Sequence, residues 1–158
     1  MTHLPKPIEV PPAPAAAVLP AANWADAFEI TTHHEKTDMR VLAEQMLTVF
    51  PVWADRLLAL RNVLVAPFGL KTGGAGETDD LVGIFPVLES GPDRMVLGLD
   101  DWHLDFRILL ERTSQTSDTR LRLTTFVTRH NLFGRTYIAL ITPFHKMIVR
   151  SVMRRANK

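Results

Sequence analysis

Two segments decide the fold of this chain: HLDFRILLER at residues 103–112 and GRTYIALITPFHKMIVRSVMRRANK at residues 134–158. In the first segment Leu104, Phe106 and Ile108 occupy alternate positions, which is the period of a β-strand. The second segment carries apolar residues at helical spacing along its length. A strand region that ends in one long amphipathic helix predicts a helix lying across a curved sheet, with a pocket between them.

The C-terminal segment has two different sides if it is helical. An apolar stripe lies on one side and cations lie on the other, namely Tyr137, Ile141, Phe144, Ile148 and Val152 against Arg135, Lys146, Arg150 and Arg154. Asn131 suits the cap of this helix, and Gly134 allows a close backbone approach at its start. Each cation adds only about 1 kcal/mol near an anionic bilayer, so the basic side alone is predicted not to hold the chain on a membrane.

Apolar runs at hairpin spacing surround the strand at residues 103–112. They lie at residues 81–88, 95–99, 103–112 and 120–130, and short polar turns separate them. This order predicts an antiparallel meander. Pro86 cannot donate a ladder hydrogen bond, so its strand is predicted to be an edge strand or to contain a bulge. The glycine-rich residues 69–80 are predicted to form a loop.

The N-terminal half is predicted to contribute one strand and two short helices. Residues 24–32, with the sequence WADAFEITT, form the first strand in this prediction because strand-forming residues dominate its end. Thr37 or Asp38 suits the cap of the helix that follows. Pro51 suits the first turn of a second helix.

Composition indicates one globular domain with an N-terminal arm. The chain has 158 residues, of which 46% are hydrophobic and 22% are charged, and this is enough for a single core. Residues 1–22 are rich in proline and alanine, and proline favours extended conformations. They are predicted to form an arm that either wraps around the fold or stays mobile. The domain itself is predicted to span residues 23–158.

Charge and cysteine content narrow the partners and the compartment. A formal charge of +1 supplies no overall field for nucleic acid, so no nucleic-acid partner is predicted. The lack of cysteine excludes disulfides and sulfur-ligated zinc, and it fits a reducing cytoplasm. Pro14 and Pro20 interrupt the alanine-rich run that a signal peptide would need, and no apolar run is long enough to span a membrane. We expect a cytoplasmic protein without stable membrane insertion, and a homodimer stays open.

Two stretches resemble an uncharacterised bacterial domain family placed in the START-like, or SRPBCC, superfamily: DDWHLDFRI at residues 100–108 and VTRHNLFGRTYIALITPFHKMIVRSVMRR at residues 127–155. The shared features are a His-Leu-Asp-Phe-Arg strand, an Asn-x-x-Gly-Arg-x-Tyr helix start and a Pro-Phe-His motif in the helix. The resemblance covers roughly residues 20–156. It implies an α+β helix-grip fold, with a curved antiparallel sheet closed over by a long C-terminal helix and two short helices after the first strand. Members of the superfamily hold apolar ligands between sheet and helix.

The implied pocket predicts which side chains meet a ligand. Candidate wall residues are Phe106, Phe126, Tyr137, Ile141, Phe144 and Ile148, and candidate orienting residues are His103, Asp105, Arg107, Tyr137 and His145. Period two places His103, Asp105 and Arg107 on one face of their strand. The sequence leaves open which face turns inward.

The polar residues of this strand also fit other interpretations. In the first, Asp105 faces solvent and pairs with Arg107 or with arginines on a neighbouring strand. In the second, His103 and Asp105 join a distant histidine as an iron-binding triad, but a helix-borne His145 converges poorly with a strand. We therefore predict no metal and no other cofactor. Acid–base chemistry by His103 or His145 requires a neighbouring acid, for which Asp105 is the candidate.

The sequence is compatible with three functions. The first is the binding or carriage of a small hydrophobic molecule in the pocket. The second is an enzyme of the cyclase, dehydratase or hydrolase kind, which requires a titratable pair within hydrogen-bond reach inside a cavity. The third is a protein-interaction module with a filled core, which requires an exposed apolar patch instead.

Overall fold

A computed structural model describes residues 5–56, 59, 80–100 and 103–158 of the chain. The strands in these residues are β1 (Ile8–Val10), β2 (Trp24–Thr32), β3 (Leu81–Val82), β4 (Phe85–Ser90), β5 (Arg94–Asp100), β6 (Leu104–Ser114) and β7 (Thr119–Arg129). The α-helices include α1 (Met39–Leu47) and α2 (Leu132–Arg154), and 3-10 turns lie at Ala15–Ala17 and Arg155–Asn157.

The strands form one curved antiparallel sheet. Their order is β1-β2-β7-β6-β5-β4-β3, so β4 to β7 are consecutive neighbours and the predicted meander is confirmed. The first predicted strand, β2, pairs with the last strand, β7, along its whole length. The register between β4 and β5 shifts between Val87 and Glu89, directly after Pro86, as the prediction of an irregular strand requires. The fold is α+β with a long C-terminal helix, and it is compatible with a helix-grip fold.

The main core lies between the helices and one face of the sheet, which we call the inner face. Phe28 of β2, Leu123 of β7 and Val149 of α2 belong to one cluster of buried side chains. Leu42 and Met46 of α1 join the same cluster. Because strand side chains alternate, Phe28 and Ile30 of β2 and Leu121 and Leu123 of β7 point into this core together.

The opposite face of the sheet, which we call the outer face, is covered by the N-terminal arm. Leu19 packs with Val96, Leu109 and Phe126 in a second buried cluster. Closer to the N-terminus, strand β1 of the arm pairs with β2 at the edge of the sheet. Of the two arrangements left open for the arm, the structure adopts the one in which it wraps around the fold.

The short helices after β2 are described in part. Asp38 caps α1, since its Oδ1 accepts hydrogen bonds from the backbone N–H groups of Arg40 at 2.8 Å and Val41 at 3.4 Å. One of the two predicted caps is therefore confirmed. Residues 52–56 are helical, directly after Pro51. The remainder of the second predicted helix and most of the predicted loop at residues 69–80 lie outside the described residues.

Helix α2 is anchored at its start by a side-chain cap. Asn131 accepts a hydrogen bond from the backbone N–H of Gly134 at 3.0 Å, so the predicted cap is confirmed. Proline at position 143 lies inside the helix, which continues to Arg154. Within the described residues, no helix combines the length and the hydrophobicity that crossing a membrane requires.

Two cations of the predicted basic side of α2 stay partly exposed and contact β1 and β2. Lys146 Nζ lies 2.6 Å from Glu9 Oε1 of β1. The Arg150 guanidinium lies over the ring of Phe28, 5.0 Å from its centroid. The arm strand and the C-terminal helix are thereby connected at this edge. The sequence pattern missed these contacts because it gave no position for β1.

Candidate functional site

A cavity of about 320 Å³ lies between the inner face of the sheet and α2. Its walls are mostly apolar, with contributions from β6, β7 and α2 that include Leu104, Phe106, Ile108, Leu123, Val127, Ile138, Ile141 and Ile148. Polar side chains in the same walls include His103, Thr125, Tyr137, Thr142 and His145. A few polar groups within a mostly apolar wall are typical of small-molecule sites.

Several of the predicted ligand contacts line this cavity, namely His103, Phe106, Tyr137, Ile141, His145 and Ile148. Leu104, Phe106 and Ile108 point into the cavity, so the face of β6 that carries them is the inner face. His103 directly precedes β6 and lines the cavity as well, since its side chain is outside the regular alternation.

Asp105 and Arg107 lie on the outer face instead, so their predicted placement in the cavity is corrected. Asp105 Oδ2 is 3.0 Å from His130 Nε2. Arg107 donates to the carboxylate of Asp100 and, at 2.8 Å, to the carbonyl oxygen of Phe106. The reason is the strand period, because a residue next to an inward-facing Phe106 must face outward. Both side chains form ion pairs outside the cavity, but with His130 and Asp100 and not with the predicted partners.

Phe126 and Phe144 are also absent from the cavity walls, and their predicted placement is corrected. Phe126 is fully buried in the outer-face cluster with Leu19, between the inward-facing neighbours Thr125 and Val127. Phe144 is 45% exposed on α2. The side of α2 that faces the cavity carries Ile141, His145 and Ile148, so it is rotated slightly from the predicted stripe. Residue 144 therefore lies on the exposed side of the helix.

The fold joins two polar residues that are distant in sequence. His145 Nε2 of α2 lies 3.2 Å from Asp26 Oδ1 of β2. Asp26 is only 5% exposed, and His145 lines the cavity. The Trp24 ring packs edge-on against the imidazole, with centroids 5.6 Å apart. The acid that pairs with His145 is therefore Asp26, and the predicted candidate, Asp105, pairs with His130.

This pair has the composition of an acid–base group. A carboxylate hydrogen-bonded to an imidazole fixes the orientation of the ring. The imidazole can then accept or release a proton at the cavity wall. Within the described residues, no group of three His, Cys, Asp or Glu side chains could hold a metal ion.

Two polar atoms beside the pair lack hydrogen-bond partners among the described residues. They are Asp26 Oδ2 and Thr125 Oγ1, and both are buried. Asp26 and Thr125 are direct partners in the β2–β7 ladder, so their side chains lie side by side on the inner face. Buried polar groups are nearly always hydrogen-bonded. These two atoms are exceptions, and neither is accessible to water from the cavity.

At another part of the cavity wall, the backbone at His103 lies close to the first turn of α2. The His103 ring lies edge-on against Phe133 and Tyr137, with centroids 5.6 Å away in each case. The His103 carbonyl oxygen accepts a hydrogen bond from the His130 N–H at 3.1 Å. A Cβ atom at Gly134 would overlap this same carbonyl oxygen. The predicted close approach at Gly134 is confirmed, and it lets the first turn of α2 reach the sheet.

The sequence contained a signal for the two residues that the prediction missed. In WADAFEITT, Asp26 shares its face with Trp24 and Phe28, so it is an acid on an otherwise apolar strand face. Thr125 is likewise a polar residue between two apolar ones, Leu123 and Val127, on one face of its strand. A buried acid needs a partner. The partner's identity could not be read because it lies on a helix at the other end of the chain.

Comparison with known proteins gives one match. The family described as a protein of unknown function, DUF2867, matches residues 18–152. No curated protein and no solved structure matches the chain. The matched residues include both Asp26 and His145 and the walls of the cavity. Strand β1 lies before them.

Proposed function

We propose that this chain, which belongs to the DUF2867 family, binds or carries a small hydrophobic molecule in the cavity between the sheet and α2. The observation that carries the proposal is an unfilled volume of about 320 Å³ with apolar walls inside the domain. Protein interiors normally leave few voids larger than a water molecule. A volume of this size is at the small end of ligand pockets, which span roughly 300–1,000 Å³.

The fold supports the same proposal. A curved antiparallel sheet with a long C-terminal helix is compatible with a START-like helix-grip domain, and we propose that the chain belongs to that superfamily. Such a domain holds its ligand where this cavity lies. The unfilled volume argues against the interaction-module alternative, which requires a filled core.

A second candidate is an enzyme that acts on the bound molecule. The observation that favours it is the Asp26–His145 pair, with 3.2 Å between Oδ1 and Nε2 and with the imidazole at the cavity wall. A positioned imidazole–carboxylate pair is a common source of acid–base catalysis. In this reading His145 would transfer the proton, and Asp26 would hold the ring.

Ligand retention tests the first candidate. The purified chain is analysed by native mass spectrometry, and the small molecules extracted from it are identified. We expect a co-purifying apolar compound. Ile141→Trp replaces an aliphatic side chain of the cavity wall with a large ring, and it should abolish this retention. Phe144→Trp is the matched control, because the same new ring lies three residues away on a side chain that is 45% exposed and absent from the cavity walls.

Three results would contradict these proposals. If Ile141→Trp and Phe144→Trp retain the compound equally, the cavity is not its site. If the chain carries nothing and binds no apolar probe in solution, the carrier proposal is wrong. The extracted compound is also incubated with the unaltered protein and with His145→Ala. If its identity and amount are the same after both incubations, the enzyme candidate is wrong.

A further inference from the structure

On the side of α2 that faces away from the cavity, three apolar side chains lie in solvent. Leu140, Phe144 and Met147 are 68%, 45% and 53% exposed. They are four and three residues apart, so they lie along one line of the helix, which we call the exposed stripe. Single apolar residues are common on protein surfaces, but contiguous apolar patches often mark interaction sites. The exposed stripe is therefore a candidate docking surface.

The same helix carries Lys and Arg side chains but no acidic one. Its cations are Arg135, Lys146, Arg150 and Arg154. Arg150 and Arg154 lie three and seven residues after Met147, so they extend the exposed stripe toward the end of the helix. Glu9 of β1 lies 3.9 Å from Arg150, whereas Arg154 is exposed and forms no ion pair among the described residues. Positive charge therefore adjoins the apolar stripe.

An anionic lipid bilayer matches both features at once. Apolar side chains of a surface helix enter the boundary between the headgroups and the acyl chains. Lys and Arg are attracted to the negative surface of the bilayer, and each changes the affinity about fivefold. These cations are too few to hold the chain on a membrane by themselves. Stable attachment requires two signals, and the exposed stripe supplies the second.

A second copy of the chain matches this surface less well. Two copies that met through the exposed stripe would bring the cations of two α2 helices together, with no acidic side chain from either helix. Like charges placed together across an interface are unfavourable. The charge of α2 therefore favours an anionic bilayer over self-association.

From these observations we infer that α2 is a docking surface for anionic membranes. Leu140, Phe144 and Met147 enter the lipid boundary, and Arg150 and Arg154 lie against lipid phosphates. The helix lies parallel to the bilayer, because the exposed stripe runs along its axis. The inference goes beyond the proposed function and does not depend on it, since no residue of the exposed stripe lines the cavity.

The experiment measures how much of the full chain sediments with lipid vesicles. One kind of vesicle is phosphatidylcholine, and the other contains about a quarter phosphatidylglycerol, which supplies negative charge. We expect the chain to bind the anionic vesicles about tenfold more tightly, and the difference to shrink in concentrated salt. The double variant Leu140→Gln/Phe144→Gln keeps helix-favouring residues and should weaken this binding about tenfold.

The chain supplies a matched control for each kind of change. Leu88 of β4 is 51% exposed, so Leu88→Gln removes a similar apolar surface outside α2. Arg135 precedes Phe144 by nine residues, or two and a half turns, and so lies on the opposite side of the helix. Arg154→Gln should weaken binding to anionic vesicles about fivefold, whereas Leu88→Gln and Arg135→Gln should leave it nearly unchanged.

Several outcomes would overturn the inference. If the chain binds no anionic vesicles, the membrane is not the partner, and analytical ultracentrifugation then shows whether the exposed stripe joins two copies instead. Equal binding to both kinds of vesicle would mean that the cations take no part. Equal losses in the double variant and in Leu88→Gln would mean that the exposed stripe is not the contact. Thermal melting confirms that each variant is folded, and Phe144→Gln alone replaces the double variant if the latter is not. Because no cavity ligand is used, none of these results bears on the proposed function.

Discussion

The inner and outer faces of the same sheet are covered in different ways. On the outer face the arm brings Leu19 against Val96, Leu109 and Phe126, and these four side chains are buried together. On the inner face α2 crosses the sheet and leaves a cavity of about 320 Å³. The arm thus fills the outer face with side chains, whereas the helix leaves space over part of the inner face.

The two faces also differ in the partners that an acidic side chain of β2 finds. Glu29 on β2 points outward and accepts from Arg120 at 3.1 Å and Arg122 at 3.0 Å, so both of its oxygens are used. Asp26, on the same strand, points inward, and only Oδ1 has a partner among the described residues. The outward carboxylate pairs with two arginines of the neighbouring strand, whereas the inward one pairs with a histidine of α2.

The largest expected effect compares one aromatic residue from each face. Phe126→Ala removes a fully buried ring from the outer cluster, and we expect a loss of about 3–5 kcal/mol in the free energy of unfolding. Phe106→Ala removes a ring from the cavity wall, where part of its surface already lacks contacts, so we expect about half that loss. Urea denaturation of both variants measures the difference.

Binding should respond in the opposite order. Phe106→Ala should weaken the affinity for an apolar probe such as naphthalene, whereas Phe126→Ala should leave it nearly unchanged under conditions in which the variant is folded. Equal losses of stability together with equal losses of affinity would show that the two faces are not energetically distinct, and the comparison would fail.

A smaller effect tests how the arm holds the outer face. Leu19→Ala truncates a side chain that is 7% exposed, and we expect the free energy of unfolding to fall by about 2 kcal/mol. The arm residue Ile8, which is 59% exposed, supplies the control variant Ile8→Ala. Hydrogen exchange should increase at residues 5–19 in Leu19→Ala and should stay low in β6 and β7. Unchanged stability would mean that the arm does not hold the outer face.

The smallest effect concerns the contact between the arm and α2. Lys146 and Glu9 approach to 2.6 Å, but their side chains are 31% and 43% exposed. We expect Lys146→Ala to cost less than about 1 kcal/mol, because solvent screens such pairs. The cost should disappear in concentrated salt. A larger, salt-independent loss would indicate that this contact closes the edge of the cavity and is not a surface ion pair.

Local sequence patterns predicted much of the fold. β2, the meander, α2 and the caps at Asp38 and Asn131 all follow from interactions between residues a few positions apart, which the sequence lists directly. The inward residues of β6 were predicted as a set, but not their direction. The position of Phe144 was mispredicted because a stripe of period 3.6 can be rotated by one residue without losing its apolar character.

Sequence alone determined that alternating strands precede one long amphipathic helix and that Gly134 allows a close backbone approach. Only the tertiary structure decided which side of the sheet the helix covers, that Asp26 meets His145, and that a cavity stays open between sheet and helix. The reason is that periodicity depends on backbone geometry between near neighbours, whereas these contacts depend on how whole faces are combined. Residues 26 and 145 become neighbours only when β2 pairs with β7 and α2 folds back across both.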